Sequence, residues 1–80
     1  MEKTIEEIQI ETLAACGELG ALYGGLVGDT IGGWTAADIS TGEDVSARIA
    51  YIYANCEPSP QRAAALAKLA ELLGRLENTN

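Results

Sequence analysis

Residues 17–33 read GELGALYGGLVGDTIGG and hold seven of the nine glycines in this chain of 80 residues. Gly20, Gly24, Gly28 and Gly32 recur at every fourth position. Each glycine costs a helix about 1 kcal/mol relative to alanine, so composition alone favours a loop. If the segment is helical, however, the four glycines share one side and leave a groove without side chains, where another backbone can approach closely.

The larger residues of this stretch keep a helical phase, which favours the second interpretation. The apolar face comprises Ile5, Ile8, Cys16, Leu19, Tyr23, Leu26, Val27 and Trp34. We therefore predict helix over most of residues 4–33, with Gly17 as the point of any kink or break. We expect the groove to pack on a small-residue stripe near the C-terminus, Ala63, Ala67, Ala70 and Gly74. Leucine at Gly24 or Gly28 should then destabilise the fold severely.

Capping signals delimit the other segments. Thr4 to Glu7 and Ser40 to Glu43 have the spacing of a capping box, and Ser59 precedes a proline suited to a first helical position. Residues 35–41 are predicted to be a loop and residues 77–80 a frayed end. The expected apolar faces are Val45, Ile49, Ile52 and Cys56 in the third segment, and Leu66, Leu69, Leu73 and Leu76 in the fourth.

These patterns predict an all-α fold, a compact bundle of three or four helices in one domain over residues 1–80. Its glycine-lined helix should pack on the Ala/Leu-rich C-terminal helix. Thirteen of the apolar residues are alanine and only one residue is tryptophan. A chain this short buries about 60–65% of its unfolded surface, so the core must be thin and closely packed, or completed by another subunit.

The composition excludes several classes of function. The chain has no histidine, and its two cysteines, Cys16 and Cys56, have no C-x-x-C partner, so we expect reduced core thiols, no metal site, no cofactor and no enzymatic activity. A phosphate-binding loop is excluded because Asp29 stands where that motif needs lysine. The acidic N-terminus and the short apolar stretch at residues 19–27 predict a soluble, cytoplasmic protein.

Charge is the distinctive chemistry of the chain. Twelve acidic and five basic residues give a net charge of −7, which argues against direct binding to nucleic acid or to an anionic membrane. Eight carboxylates and no basic residue lie between Lys3 and Arg48: Glu6, Glu7, Glu11, Glu18, Asp29, Asp38, Glu43 and Asp44. On one continuous helix, Glu7, Glu11, Glu18 and Asp29 would fall within about 40°. This surface is either merely solvated or a docking surface for a basic partner.

Two stretches and the whole chain resemble known families. Residues 20–32, GALYGGLVGDTIG, resemble the first-helix signature of the ADP-ribosylglycohydrolases, an all-α dimetal hydrolase fold. No run of adjacent aspartates comes after it, so the resemblance implies only a packed glycine-lined helix. Residues 18–25, ELGALYGG, are similar to the double-glycine leader of exported bacterial peptides, which implies cleavage after Gly25. In size, acidity and lack of catalytic residues, the chain resembles phage-encoded inhibitors of bacterial defence such as anti-CRISPR proteins.

The sequence therefore favours a small acidic inhibitor or adaptor that occupies a basic site on a larger protein, for example a site that normally grips nucleic acid. The eight carboxylates are the candidate contacts, and Trp34, Tyr51 or Tyr53 is the candidate anchor. Two alternatives stay open. One is a structural or regulatory homo-oligomer, such as a homodimer, that uses the small-residue and leucine faces. The other is a peptide precursor with a double-glycine leader.

Overall fold

The computed structural model describes residues 2–78, which form four α-helices and one short 3₁₀ helix. In chain order they are α1 (Ile5–Tyr23), α2 (Gly25–Gly32), the 3₁₀ helix (Ala36–Ile39), α3 (Gly42–Asn55) and α4 (Pro60–Glu77). There is no β-strand over this range, so the all-α prediction is confirmed. None of these helices is both long and apolar enough to cross a membrane. Helix α4 extends to Glu77, and residues 79 and 80 of the predicted frayed end lie outside the described range.

The glycine-rich segment is two helices, and the break lies at Gly24, not near Gly17. Gly24 has φ 65° and ψ −173°, a backbone region that is essentially restricted to glycine. Gly20 approaches Gly32, although twelve residues of straight helix would separate them by about 18 Å. The chain therefore turns back sharply, and α2 packs on the C-terminal part of α1.

The predicted groove of four glycines along one helix does not form, because Gly28 and Gly32 lie on α2; instead, Gly20 of α1 and Gly28 of α2 face each other in a close contact between the two helices. A Cβ atom built on Gly20 would lie 2.7 Å from the carbonyl oxygen of Gly28 and 2.9 Å from the amide nitrogen of Gly32. A Cβ atom on Gly28 would overlap the carbonyl oxygen of Gly20. The prediction that the stripe is the matching face is wrong, because Ala63, Ala67 and Ala70 are exposed.

The core lies between α1, α4 and α3, with the 3₁₀ helix closing one side. Helix α1 packs on α2, on α4 and on the 3₁₀ helix, and α3 packs on α4 and on the 3₁₀ helix. The predicted packing of a glycine-containing helix on the Ala/Leu-rich C-terminal helix is thus observed. The buried apolar residues are Ile8, Cys16, Leu19, Ile31, Ile39, Val45, Ile52, Cys56, Ala65, Leu69 and Leu72. Thr12 is the buried polar residue, and its hydroxyl donates to the carbonyl of Ile8 at 2.7 Å.

The predicted apolar faces of α3 and α4 point into this core. Val45, Ile52 and Leu69 are fully buried, and the remaining members of both faces are buried or partly buried. The phase predicted across the glycine segment holds only in part: Val27 and Trp34 pack against the core, but the turn at Gly24 gives α2 a new orientation. Leu26, expected on the apolar face, is 83% exposed.

Side-chain caps fix where the helices begin. Thr4 and Glu7 form the predicted capping box: the amide of Glu7 donates to Thr4 Oγ1 at 3.1 Å, and the amide of Thr4 donates to Glu7 Oε1 at 2.8 Å. Ser59 caps α4 as predicted, with Pro60 at the first position. The cap of α3 is Thr41, one residue after the predicted Ser40, and it accepts from the amide of Asp44.

The predicted loop at residues 35–41 contains the 3₁₀ helix. Thr35 and Asp38 form a second capping box there, which was not predicted from the sequence. Ile39 is fully buried, and its carbonyl accepts a hydrogen bond from Gln9 Nε2 at 3.2 Å. A buried side chain and a capped turn hold this segment against α1 and α3.

Candidate functional site

The eight candidate carboxylates lie on four different elements. Glu6, Glu7, Glu11 and Glu18 are on α1, Asp29 is on α2, Asp38 is in the 3₁₀ helix, and Glu43 and Asp44 are in the first turn of α3. None is buried: Glu11, Asp38 and Asp44 are half-buried and the others are exposed. No group of three or more acidic or cysteine side chains within residues 2–78 is placed to hold a metal ion.

Three of these carboxylates are already used by the fold, and Glu11 is the clearest case. Its Oε1 atom accepts from Lys3 Nζ at 2.8 Å and from Lys68 Nζ at 2.7 Å. These hydrogen bonds join α1 to α4 through Lys68, and to the segment that precedes α1 through Lys3. The hydrogen bond from Lys3, followed by that from Lys68, lowers the pKa of Glu11, and the same contact raises the pKa of Lys68.

Asp38 is the second, and it holds the 3₁₀ helix. One carboxylate oxygen accepts from the amide of Thr35 at 2.8 Å, and the other accepts from Arg48 Nη2 at 3.2 Å. The backbone hydrogen bond is the main reason that the pKa of Asp38 is lowered, and the contact with Arg48 adds to it. Glu7 is the third, because its carboxylate belongs to the capping box of α1.

The other five carboxylates have no ion pair or side-chain hydrogen bond to any residue in the range 2–78. They are Glu6, Glu18, Asp29, Glu43 and Asp44. Of these, Glu43 and Asp44 lie in the first turn of α3, where the positive end of the helix dipole favours a negative charge. Glu6 has the same position in the first turn of α1, whereas Glu18 and Asp29 have no such interaction and direct their charges to solvent.

The predicted acidic stripe is formed only in part: Glu7, Glu11 and Glu18 keep their common phase on α1, but Asp29 does not continue it. Asp29 lies beyond the turn at Gly24, so its helical phase with Glu18 is lost. Gly20, which faces α2, is two residues from Glu18 and about 200° away around α1. Glu18 therefore points away from the helix that carries Asp29. The free carboxylates are distributed over the surface and do not lie in one line.

The basic side chains, in contrast, all have partners within the chain. Lys3 and Lys68 bind Glu11, and Lys68 also approaches Glu71 at 3.6 Å. Arg48 binds Asp38 and lies 5.6 Å from the ring centre of Trp34. The remaining two interact without a carboxylate: Arg62 stacks on Tyr53, and Arg75 donates to the carbonyl of Lys3 at 2.6 Å. The positive charges thus serve internal contacts, and the excess negative charge faces outward.

The candidate aromatic anchors separate into two kinds. Trp34 and Tyr51 are partly buried and pack edge to face, with ring centres 5.7 Å apart. Tyr53 is 60% exposed, and the guanidinium carbon of Arg62 lies 4.6 Å from its ring centre. This Arg62–Tyr53 pair was not predicted from the sequence. Tyr53 and Arg62 lie on different helices, so no sequence spacing indicates that they meet. Tyr53 directly follows the buried Ile52 and therefore points to another side of α3, away from the core.

Both cysteines are free and buried, as predicted. Burial raises the pKa of Cys16 to about 11. Burial also raises the pKa of Cys56, against the opposing effects of the hydrogen bond with Tyr23 and the charge of Arg62. A thiol with a raised pKa is protonated at neutral pH and is a poor nucleophile, so the two cysteines act as packing residues.

Comparison of the chain with protein-family models, with curated proteins and with solved structures gave no match.

Proposed function

We propose that this protein is a small acidic inhibitor or adaptor that docks on a basic site of a larger protein. One observation carries the proposal: the five basic side chains are engaged within the chain, whereas five of the eight candidate carboxylates lack a partner among residues 2–78. The net charge of −7 is therefore presented to solvent with little local compensation. A surface of this kind steers a basic partner towards it and pairs with Lys and Arg side chains in the complex.

The contacts that fit this function best are Glu6, Glu18, Asp29 and Glu43. All four are exposed, and none is needed for an internal ion pair. Pairing with a partner would therefore cost the fold no existing interaction. Glu7, Glu11 and Asp38 fit less well, because a partner would have to compete with their internal hydrogen bonds.

The experiment measures binding as a function of salt and of charge reversal. The purified protein is immobilised and incubated with a lysate of the cells that produce it at about 50 mM salt. Raising the salt to about 500 mM should release a partner that is held by electrostatic contacts. The released protein is identified by mass spectrometry and purified. Its Kd is then measured for the wild type and for the triple variant Glu18→Lys, Asp29→Lys, Glu43→Lys.

We expect the triple variant to lose association but to stay folded, with a loss of stability of about 1 kcal/mol because lysine replaces Glu43 in the first turn of α3. The matched control is the triple variant Glu2→Lys, Glu57→Lys, Glu77→Lys, which changes the net charge equally at exposed carboxylates outside the proposed set. Binding that survives reversal of the proposed set, or that is indifferent to salt, would contradict the proposal. Reversal at Glu7 or Glu11 is unsuitable, since it would remove a cap or an ion pair of the fold itself.

The alternative of a homo-oligomer is favoured by one observation, the exposed alanine stripe of α4. Ala63, Ala67 and Ala70 leave a smooth helix face with no charged side chain on it. The leucine face cannot contribute, because Leu69 is fully buried in the core. A mass that rises with concentration, is insensitive to salt and is abolished by Ala67→Arg would favour this alternative over the electrostatic one.

The alternative of a peptide precursor is favoured by the exposure of Gly24 and Gly25 at the junction of α1 and α2. Cleavage there would remove α1, which supplies Ile8, Cys16 and Leu19 to the core. The remaining segment would have to fold without them. Mass spectrometry of the cellular product distinguishes the two cases, since a precursor yields a chain that begins at Leu26.

A further inference from the structure

Two cavities lie on either side of the segment that joins α3 to α4. The first, about 310 Å³, is lined by Leu22, Tyr23, Glu57, Pro58 and Ser59. The second, about 170 Å³, is lined by Tyr53, Pro58, Ser59, Arg62, Ala63 and Leu66. Pro58 and Ser59 belong to both, so one extended ligand crossing these two residues could reach into each cavity.

Arg62, which has no carboxylate partner within residues 2–78, brings a positive charge to the second cavity. Its guanidinium stacks on Tyr53, which occupies a face of the planar group and leaves the N–H donors at its edge. Its Nε atom is buried and has no hydrogen-bond partner within residues 2–78. No carboxylate of residues 2–78 lies within 4 Å of the Arg62 guanidinium nitrogens, even though the chain has twelve acidic residues. A ligand cannot reach the enclosed Nε atom, so it would accept from the terminal Nη groups of the guanidinium.

The size and lining of the cavities define the ligand. About 170 Å³ is below the range of roughly 300–1,000 Å³ that small-molecule and cofactor pockets occupy, so this cavity takes a group of the size of one residue. Ala63, Leu66 and the ring of Tyr53 give it apolar walls. An apolar residue that carries a carboxylate matches these walls and the guanidinium together, whereas inorganic phosphate matches only the charge.

Charge also sets the direction of the ligand. The carboxylate of Glu57 lines the first cavity and would repel a second negative group there. Leu22, 52% exposed, gives the same cavity an apolar wall. A neutral or basic residue therefore suits the cavity beside Glu57, and the negative terminus suits the cavity beside Arg62.

We propose that Arg62 and Tyr53 bind the C-terminal carboxylate of a partner peptide whose last residue is apolar, with the preceding residue in the cavity beside Leu22 and Glu57. The guanidinium edge donates two parallel hydrogen bonds to the carboxylate, a geometry that Arg provides and Lys does not. This site is independent of the acidic surface, because it has the opposite charge and selects an anionic group.

The test is an NMR titration of the full ¹⁵N-labelled chain with the dipeptide acetyl-alanyl-leucine, once as the free acid and once as the C-terminal amide. We expect saturable shifts at the Arg62 side-chain N–H and the Tyr53 amide for the acid, with a Kd on the order of 1 mM. The amide should bind at least about ten-fold more weakly, because it lacks the charge. Arg62→Gln should abolish the shifts, and Arg75→Gln, which removes another arginine without a carboxylate partner, should leave them.

Each other result overturns the proposal. Equal shifts with acid and amide would mean that the charge is irrelevant, and an equal loss in Arg75→Gln would mean that the effect is a general one of net charge. Shifts with inorganic phosphate as strong as those with the acid would assign a general anion site instead. No shift with the acid at about twenty times the expected Kd would rule out binding. The comparison of acid with amide uses the wild type, so it holds even if a variant folds poorly.

Discussion

Alanine at Gly20 tests whether the close approach of α1 and α2 decides this fold. Its Cβ atom would lie 2.7 Å from one backbone atom of α2 and 2.9 Å from another, where ordinary contact begins at 3.4 Å. Helix α2 would therefore have to move by about 0.7 Å. Overpacking costs about 1–3 kcal/mol, and the upper end applies here because the neighbouring atoms are backbone and cannot rotate away. Alanine returns about 1 kcal/mol of helix propensity, so the expected net loss is about 2 kcal/mol.

Gly17→Ala is the matched control, three residues earlier in the same helix. A Cβ atom there meets nothing within 4 Å, so only the propensity gain of about 1 kcal/mol applies and the variant should be more stable. Urea denaturation followed by circular dichroism gives both free energies of unfolding. In a chain of this size, melting temperatures should fall by about 8–16 °C for Gly20→Ala and rise by about 4–8 °C for Gly17→Ala. Changes of the same sign in the two variants would refute the reasoning.

Two further predictions concern the ion pairs and the core. Since the pKa of Glu11 is lowered on folding, its contribution is present above the unfolded pKa and is lost as pH falls through the folded pKa. Lys68, whose pKa is raised, contributes below its unfolded pKa and loses that contribution as pH rises through the folded pKa. Glu11→Gln should therefore lower the stability of the protein at neutral pH. The variant should also lose less stability than the wild type when the solution is made acidic or alkaline, as measured by thermal melts at a series of pH values. A pH profile of the variant parallel to that of the wild type would contradict this. Leu69→Ala should cost about 2–5 kcal/mol because Leu69 is fully buried, whereas Ala67→Leu on the exposed stripe should change stability by less than about 0.5 kcal/mol. A large loss in Ala67→Leu would show that the stripe is covered.

The fold class was predictable because periodicity and caps agree along most of the chain. Thr4 and Ser59 mark helix starts by chemistry that acts within four residues, and the faces containing Val45 and Leu69 follow a period that needs no tertiary information. The position of the break was not predictable in this way. Periodicity misses the signal for it: Gly24 is followed by Gly25, a dipeptide that marks turns, and both residues take positive φ, whereas Gly17 has no glycine neighbour.

The surroundings of the candidate carboxylates were predictable only in part. That none of the eight carboxylates is fully buried follows from the general cost of burying charge, so the sequence sufficed for that. The sequence did not show that Glu11 and Asp38 form ion pairs within the fold. Their partners Lys68 and Arg48 lie 57 and 10 positions away and meet them only after folding. These ion pairs can be identified only when the arrangement of the helices is known, because that arrangement decides which basic residues reach each carboxylate.

The distribution of charge bears on how the protein would bind its partner. A linear stripe of carboxylates on one helix would mimic a nucleic acid backbone and would compete with nucleic acid for a basic groove of the partner. The observed free carboxylates, among them Glu18 on α1 and Asp29 on α2, instead point in different directions and suit a concave basic site that surrounds the molecule. If these contacts share no partner side chain, the free energies lost on their reversal should add when they are reversed singly and together. Additivity in the Glu18, Asp29 and Glu43 series would support a surrounding site, and strong coupling between Glu18 and Asp29 would require that both reach one partner residue.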